Sequence, residues 1–283
     1  MQNIDNNIKK LPVVMTIAGS DSGAGAGIQA DLKTITTIGG YGTTVITAIT
    51  AQNTIKVSGI YPIPTNFIRK QFNSIIADFS VATIKTGMLT NTETIKCVAG
   101  LIKKSGIKNY VLDPVMIATS GSKLVTEDIV ETIKKYLIPL ARVITPNIPE
   151  AEVLLGKKLR SINDMGKFAV ELLRFGSEAV LLKGGHLEEN TIIDVFAAKS
   201  FSSFVVFEKE KIKTQNTHGT GCNLASALAT YLAQDYKLEK AIKLSIKYIH
   251  NSIDISRKFK IGNGNGPLLQ YNSKSVQNIK HSK

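Results

Sequence analysis

A thiol stands at position 222, at the end of Thr-His-Gly-Thr-Gly-Cys (217–222), and the run after it, Asn-Leu-Ala-Ser-Ala-Leu-Ala-Thr-Tyr-Leu-Ala, favours a helix. The two glycines and Cys222 therefore fall at a helix N-terminus. Unpaired backbone N–H groups and the positive end of the helix dipole favour negative charge there, on a phosphoryl group or on a thiolate. The same residues also suit a glycine turn into a buried helix, with Cys222 as a small apolar filler.

Four other stretches carry chemistry, each just after an apolar run. Gly19-Ser-Asp-Ser-Gly-Ala-Gly-Ala-Gly27 leads into Ile-Gln-Ala-Asp-Leu-Lys. It lacks the Lys-Ser/Thr of a P-loop and the glycine spacing of a dinucleotide site. Its glycines let backbone approach a planar ligand that Asp31 would orient; otherwise it is a tight strand-to-helix connection with Asp31 in solvent. Gln52 offers a donor and an acceptor side by side, which match an aminopyrimidine edge, or else it is ordinary turn chemistry. Asp113, Asn147 and Glu150 supply hard oxygen ligands of the kind Mg²⁺ takes sparingly alongside phosphates. Pro149 and Glu150 equally well start a helix. Lys183, in Lys-Gly-Gly-His, is a point charge for nucleotide phosphates or a solvated strand end, and His186 reads as a turn residue. The loop 118–123, small and polar, suits a nucleotide lid or a plain surface loop.

The elements that position these residues follow from the apolar pattern. Unbroken Val-, Ile- and Thr-rich runs at 13–18, 43–51, 81–86, 110–112, 143–145 and 179–182 predict strands covered on both faces. Helical patterns lie at 28–38, 66–76, 91–104, 127–136, 163–174, 221–233 and 238–257, so the strands are expected to run parallel with crossover helices. Runs at 191–198 and 204–208 predict a hairpin at an antiparallel edge. With no low-complexity linker or fixed-period repeat, one domain over 1–283 is expected, with flexible tails at about 1–11 and 272–283.

At 43% hydrophobic residues the chain can bury a large core, and its net charge of +13 raises the question of nucleic acid. The lysines are scattered without interleaved aromatics, so a solvated basic surface is expected and nucleic-acid binding is not. Two distant cysteines, Cys97 and Cys222, argue against a disulfide framework or zinc site. The N-terminus lacks a signal-peptide core and no run is long enough to span a bilayer, so a soluble cytoplasmic protein is expected, with no membrane partner.

Taken together, Thr-Ile-Ala-Gly-Ser-Asp-Ser, Gly-Ala-Gly-Ile-Gln-Ala-Asp-Leu-Lys-Thr, Val-Ile-Thr-Ala-Ile-Thr-Ala-Gln-Asn-Thr, Lys-Thr-Gly-Met-Leu, Leu-Asp-Pro-Val-Met, Thr-Pro-Asn-Ile-Pro-Glu-Ala, Leu-Leu-Lys-Gly-Gly-His and His-Gly-Thr-Gly-Cys resemble, in order, the hydroxymethylpyrimidine/phosphomethylpyrimidine kinases of thiamine biosynthesis. The resemblance runs from about Val13 to Leu268. It implies a ribokinase-like three-layer α/β/α sandwich with a mostly parallel central sheet and an antiparallel edge, assembled as a homodimer. It also implies two ATP- and Mg²⁺-dependent transfers, from 4-amino-5-hydroxymethyl-2-methylpyrimidine to its monophosphate and then to the diphosphate.

On this resemblance Gly19, Asp31, Thr50 and Gln52 hold the pyrimidine, with Met88 and Val115 as apolar walls. Asp113 and Glu150 take Mg²⁺, Asn147 and Lys183 contact the nucleotide, and Gly219, Thr220 and Gly221 form the anion hole. Cys222 takes the proton of the substrate hydroxyl, with its thiol pKa expected to be lowered by the helix N-terminus from about 8.5 toward neutrality. Two positions depart from the family pattern: the loop Ser-Gly-Ala-Gly-Ala (22–26), where paired glycines are usual, and Asn223, where a small hydroxylic residue is common. The rival readings are a pyridoxal or pyridoxine kinase of the same superfamily, which phosphorylates a similar hydroxymethyl group, and a non-catalytic metabolite-binding protein.

Overall fold

A computed structural model describes residues 10–116, 126–159, 161–184 and 190–271. The expected lid at 118–123, His186 and the tails 1–9 and 272–283 lie outside them. Nine strands form one sheet in the order β3-β2-β1-β4-β5-β6-β7-β8-β9. They are β1 (Val13–Asp21), β2 (Tyr41–Gln52), β3 (Val57–Pro62), β4 (Val81–Thr86), β5 (Tyr110–Leu112), β6 (Val143–Ile144), β7 (Ala179–Leu182), β8 (Thr191–Ala198) and β9 (Phe204–Glu210). β2, β1, β4, β5, β6 and β7 are mutually parallel.

The hairpin β8–β9 is antiparallel, as its alternation predicts. The other edge is antiparallel too, because β3 turns back on β2, and the sequence pattern did not show this. All six residues of β3 are exposed, so no buried face imposes an apolar period on them.

Both faces of the parallel strands are covered, and the side chains alternate between two cores. Tyr110 and Leu112 face one core and Val111 the other; Val180 and Leu182 part in the same way from Ala179 and Leu181. One core is closed by α2 (Thr65–Asp78), α3 (Thr92–Ser105), α4 (Glu127–Tyr136), α5 (Ile148–Leu155) and α6 (Ile162–Leu172). The other is closed by α1 (Gly27–Ile38), α7 (Thr220–Ala233) and α8 (Leu238–Ser256). Among the described residues no helix is long and apolar enough to cross a membrane.

The chain lays β2 and β3 on one side of β1 and then crosses to place β4 on the other. This reversal opens a crevice beyond the carboxyl ends of β1 and β4, where open α/β sheets bind ligands.

Candidate active site

The carboxyl ends of the parallel strands form one rim, and the candidate residues lie along it in strand order. Gln52 closes β2, Gly19 and Asp21 lie at the end of β1, and Met88, Asp113, Asn147 and Lys183 follow β4, β5, β6 and β7. Five strand spacings separate β2 from β7, about 24 Å at ~4.8 Å each, enough for a small heterocycle beside a nucleotide.

Polar side chains and backbone cluster at the β2–β1–β4 end of the rim. Thr50 Oγ1 donates to the Ser20 carbonyl (3.0 Å), and Ser22 clips the Gln52 backbone through both its carbonyl and its N–H. A Cβ at Gly19 would come within 2.7 Å of the Met88 methyl, so glycine leaves the width for that side chain. Val115 is half-buried on the turn after β5.

Sequence reasoning assigns His218 no role, although it lies within the motif that ends in Cys222. Its Nε2 lies 3.2 Å from Gln52 Nε2 and 3.1 Å from Asp21 Oδ2. Asp21 in turn accepts from the backbone N–H groups of Gly23, Gly25 and Ala26, which fixes the glycine-rich turn. Burial works against this carboxylate, but His218 and the Ala26 and Gly23 N–H groups outweigh it and hold its pKa below the usual value. The C-terminal segment holds the His218 loop by backbone: His218 N–H donates to the Gly266 carbonyl and Leu268 N–H to the His218 carbonyl. Ala24, at one of the two family departures, adopts a left-handed φ of 58°.

The β5–β6–β7 end is ionic. Lys183 Nζ lies 3.0 Å from Asp113 Oδ1, which also accepts from Thr145. Asn147 and Glu150 form a reciprocal cap on α5, Asn147 Oδ1 accepting from Glu150 N–H (2.9 Å) and Glu150 Oε2 from Asn147 N–H (2.8 Å). The helix-start reading of Glu150 thus holds, and its carboxyl is buried beside Asp113. Burial first, opposed by Lys183 and aided by the Asp113 charge, pushes its pKa up to about 7. The Asn147 side-chain oxygen is spent on the cap.

Between the two ends stands the start of α7, which packs on β1, β4 and β5. Gly219 has a φ of 81°, and a Cβ there would lie 1.9 Å from the Gly25 carbonyl oxygen, so only glycine fits. The helix has no side-chain cap, which leaves its first amides to other acceptors. A Cβ at Gly221 would lie 3.1 Å from Lys183 Nζ, which places the loop against the ionic end. Thr220 turns its hydroxyl back to the Thr217 carbonyl. Asn223 is buried and faces the core, bonding the Gly219 carbonyl, Thr34 and Gln270, so this departure anchors the loop from behind.

Two expectations are corrected. Asp31 lies on the second turn of α1, fully buried, with both oxygens engaged by Lys85 and further bonds from Thr16 and Ser226. It is a core ion-pair partner and presents nothing to a pyrimidine. The Cys222 thiol is not lowered toward neutrality: burial pushes it up to about 11, with Lys85 pulling the other way.

Comparison with known proteins shows the family. Residues 21–269 match the model of the phosphomethylpyrimidine kinase family. The chain belongs to that family. It is 46% identical over 256 residues to a thiamine biosynthesis bifunctional protein of Geobacter sulfurreducens, covering 90% of this chain and 51% of that one. The chain thus spans about half the length of this bifunctional relative.

A crystal structure of phosphomethylpyrimidine kinase from Clostridium difficile superposes with a TM-score of 0.77 at 43% identity, covering 86% of this chain and all of that one. Pyridoxal kinase from Staphylococcus aureus, in complex with an ATP analogue (AMP-PCP) and pyridoxal, gives 0.84 at 33% identity, over 93% and 94% of the two chains. The phosphomethylpyrimidine kinase family and its pyridoxal-kinase neighbours thus share one ribokinase-like sheet, and backbone shape alone does not separate their substrates.

Proposed function

We propose that this chain transfers a phosphoryl group from ATP to 4-amino-5-hydroxymethyl-2-methylpyrimidine and then phosphorylates the monophosphate to the diphosphate. One observation carries this reading: the loop that ends in Cys222 reaches both ends of the rim, with His218 Nε2 3.2 Å from Gln52 Nε2 and a Cβ at Gly221 3.1 Å from Lys183 Nζ and 3.5 Å from Asp113 Oδ2. A flat aminopyrimidine matched to the Gln52 amide, between Met88 and Val115, would bring its hydroxymethyl group toward Cys222.

Lys183 and the first amides of α7 then face the phosphoryl group in flight, and positioning and charge stabilisation supply most of the acceleration. The substrate hydroxyl gives its proton to Cys222 as its oxygen attacks. A thiol cannot accept a proton, so Cys222 first releases its own to solvent and meets the substrate hydroxyl as a thiolate, which becomes a thiol again as the oxygen attacks. Asp113 and Glu150 fit Mg²⁺: two buried hard-oxygen carboxylates, one of them with its pKa pushed up to about 7 by burial first and by the Asp113 charge after it, suit an ion that takes its other ligands from phosphates and water. When bound, that ion neutralises phosphate charge.

The pyridoxal reading draws on the high TM-score to pyridoxal kinase, but a pyridine without the 4-amino group leaves half of the Gln52 amide unmatched. A non-catalytic binding protein would have no need of the Asp113–Lys183 pair. We place the protein in a reducing cytoplasm, in keeping with two free thiols, as a homodimer joined at the exposed β3 edge.

Purified chain incubated with Mg·ATP and either the pyrimidine alcohol or pyridoxal, with products resolved by chromatography, decides between these readings. Mono- and diphosphate of the pyrimidine are expected; pyridoxal phosphate as the sole product would reassign the substrate. Cys222→Ala should lower kcat roughly 10²-fold with KM little changed.

A further inference from the structure

A charged side chain with no exposure at all needs a reason, and Lys85 is one. It is the sole charged residue of β4, Val-Ala-Thr-Ile-Lys-Thr, and both it and Asp31 are 0% exposed. Its Nζ lies 2.9 Å from each Asp31 oxygen. Ser226 Oγ (2.7 Å) and Thr16 Oγ1 (2.6 Å) complete the carboxylate shell, so Asp31 has no room for a ligand or a proton. Such a pair loses in desolvation about what it gains in attraction, and apolar residues of similar volume would hold the core as well.

Its position supplies the reason. Asp31 is one helical turn below Gly27, the first residue of α1, and Ser226 is one turn below Cys222 on α7. The pair therefore ties together the two helix starts that converge on the sulfur. A Cβ at Gly87 would come 3.1 Å from Lys85 Nζ, so glycine also makes space for the ammonium beneath the crevice.

We infer that the buried Lys85–Asp31 pair is a positioning device for Cys222, in which the Lys85 ammonium is the fixed counter-charge for the sulfur during proton transfer and Asp31 limits how much of that charge the sulfur feels. The inference rests on the reading of Cys222 as proton acceptor. The charged groups facing Cys222 are Lys85 and Asp31 from below, Asp113 at the end of β5 and Lys183 at the end of β7. Lys85 favours the thiolate, while Asp31 and Asp113 oppose it. The Lys85 pKa is raised despite burial, chiefly by Asp31, so the ammonium stays charged and is not itself the base.

The test measures the iodoacetamide alkylation rate of the Cys222 peptide by mass spectrometry, from about pH 7 to about pH 11.5, in folded protein. Asp31→Asn removes the carboxylate that opposes the thiolate and leaves the sulfur to serve as the counter-charge of Lys85; the rate near neutral pH should rise about threefold or more as the midpoint moves down. Adding Lys85→Met to Asp31→Asn should reverse that shift and carry the midpoint back up. Identical midpoints in the single and double variants, or an upward shift in Asp31→Asn, would overturn the inference. If circular dichroism shows the double variant unfolded, Asp31→Asn against the parent decides alone. Full turnover by Cys222→Ala would remove the proton-acceptor reading while leaving the alkylation comparison intact, so the two ideas fail separately.

Discussion

The Gln52 side-chain nitrogen and His218 Nε2 stand 3.2 Å apart, and the same imidazole nitrogen lies 3.1 Å from Asp21 Oδ2. The amide that would read a pyrimidine edge is therefore held in place before any ligand arrives. Gln52→Leu should weaken pyrimidine binding by roughly 1–3 kcal/mol, because a substrate amine is left unpaired, while ATP affinity stays unchanged. Calorimetric titration with each ligand separately measures both; equal pyrimidine affinity would remove Gln52 from recognition.

Asp113 shares Lys183 with the far side of the crevice at 3.0 Å. Asp113→Asn should reduce kcat roughly 10²- to 10³-fold, in the range of losing one preorganised electrostatic contact, with the fold retained. Chelation with EDTA should stop turnover of the parent enzyme, and added Mg²⁺ should restore it. Steady-state kinetics with titrated Mg²⁺ would show the variant needing more of the ion.

Ala24 holds a φ of 58°, a conformation that costs a Cβ-bearing residue about 1–2 kcal/mol. Glycine relieves that strain but adds about 0.4–1 kcal/mol of chain entropy to the unfolded state. The strain is the larger effect, so Ala24→Gly should stabilise the protein by roughly 0.5–1 kcal/mol. A denaturant midpoint below that of the parent would contradict this balance.

The Asp21 pKa is lowered in the folded protein from its ordinary 3.8. Its contribution to stability is therefore present in full above about pH 4 and fades as pH falls through the lower folded value. Asp21→Asn should cost about 1–3 kcal/mol near neutrality. The gap in melting temperature between variant and parent should narrow on titration below pH 4; a gap independent of pH would show that the charge is idle.

Ile60, Tyr61 and Ile49 are 46%, 67% and 49% exposed along the β2–β3 edge, an apolar strip with unpaired backbone groups. Tyr61→Asp should convert a dimer to a monomer in light scattering with little change in secondary structure. A parent protein that elutes as a monomer at micromolar concentration would refute the assembly.

The parallel strands and the hairpin were legible because burial on two faces writes unbroken apolar runs into the sequence. β3 was not, since exposed residues carry no such record. The rim residues were legible because each follows a strand, and strand ends are where an α/β sheet exposes side chains to ligand. Asp31 misled because a carboxylate near a glycine loop looks solvated; its partner is 54 residues away in β4. A lysine inside an otherwise apolar strand was the available signal, since such a charge must be met by an opposite one. The Cys222 thiol misled in the same way: the helix start was visible, but the depth of the sulfur was not.

The clasp between His218 and the stretch Gly266–Leu268 joins the middle of the crevice to nearly the last described residues. On a translating ribosome the sheet can gather strand by strand, yet the loop that bears the sulfur gains this backbone clasp only after residue 268 has emerged. A chain cut short of residue 266 would thus lack one of the clasps that hold the loop at the start of α7.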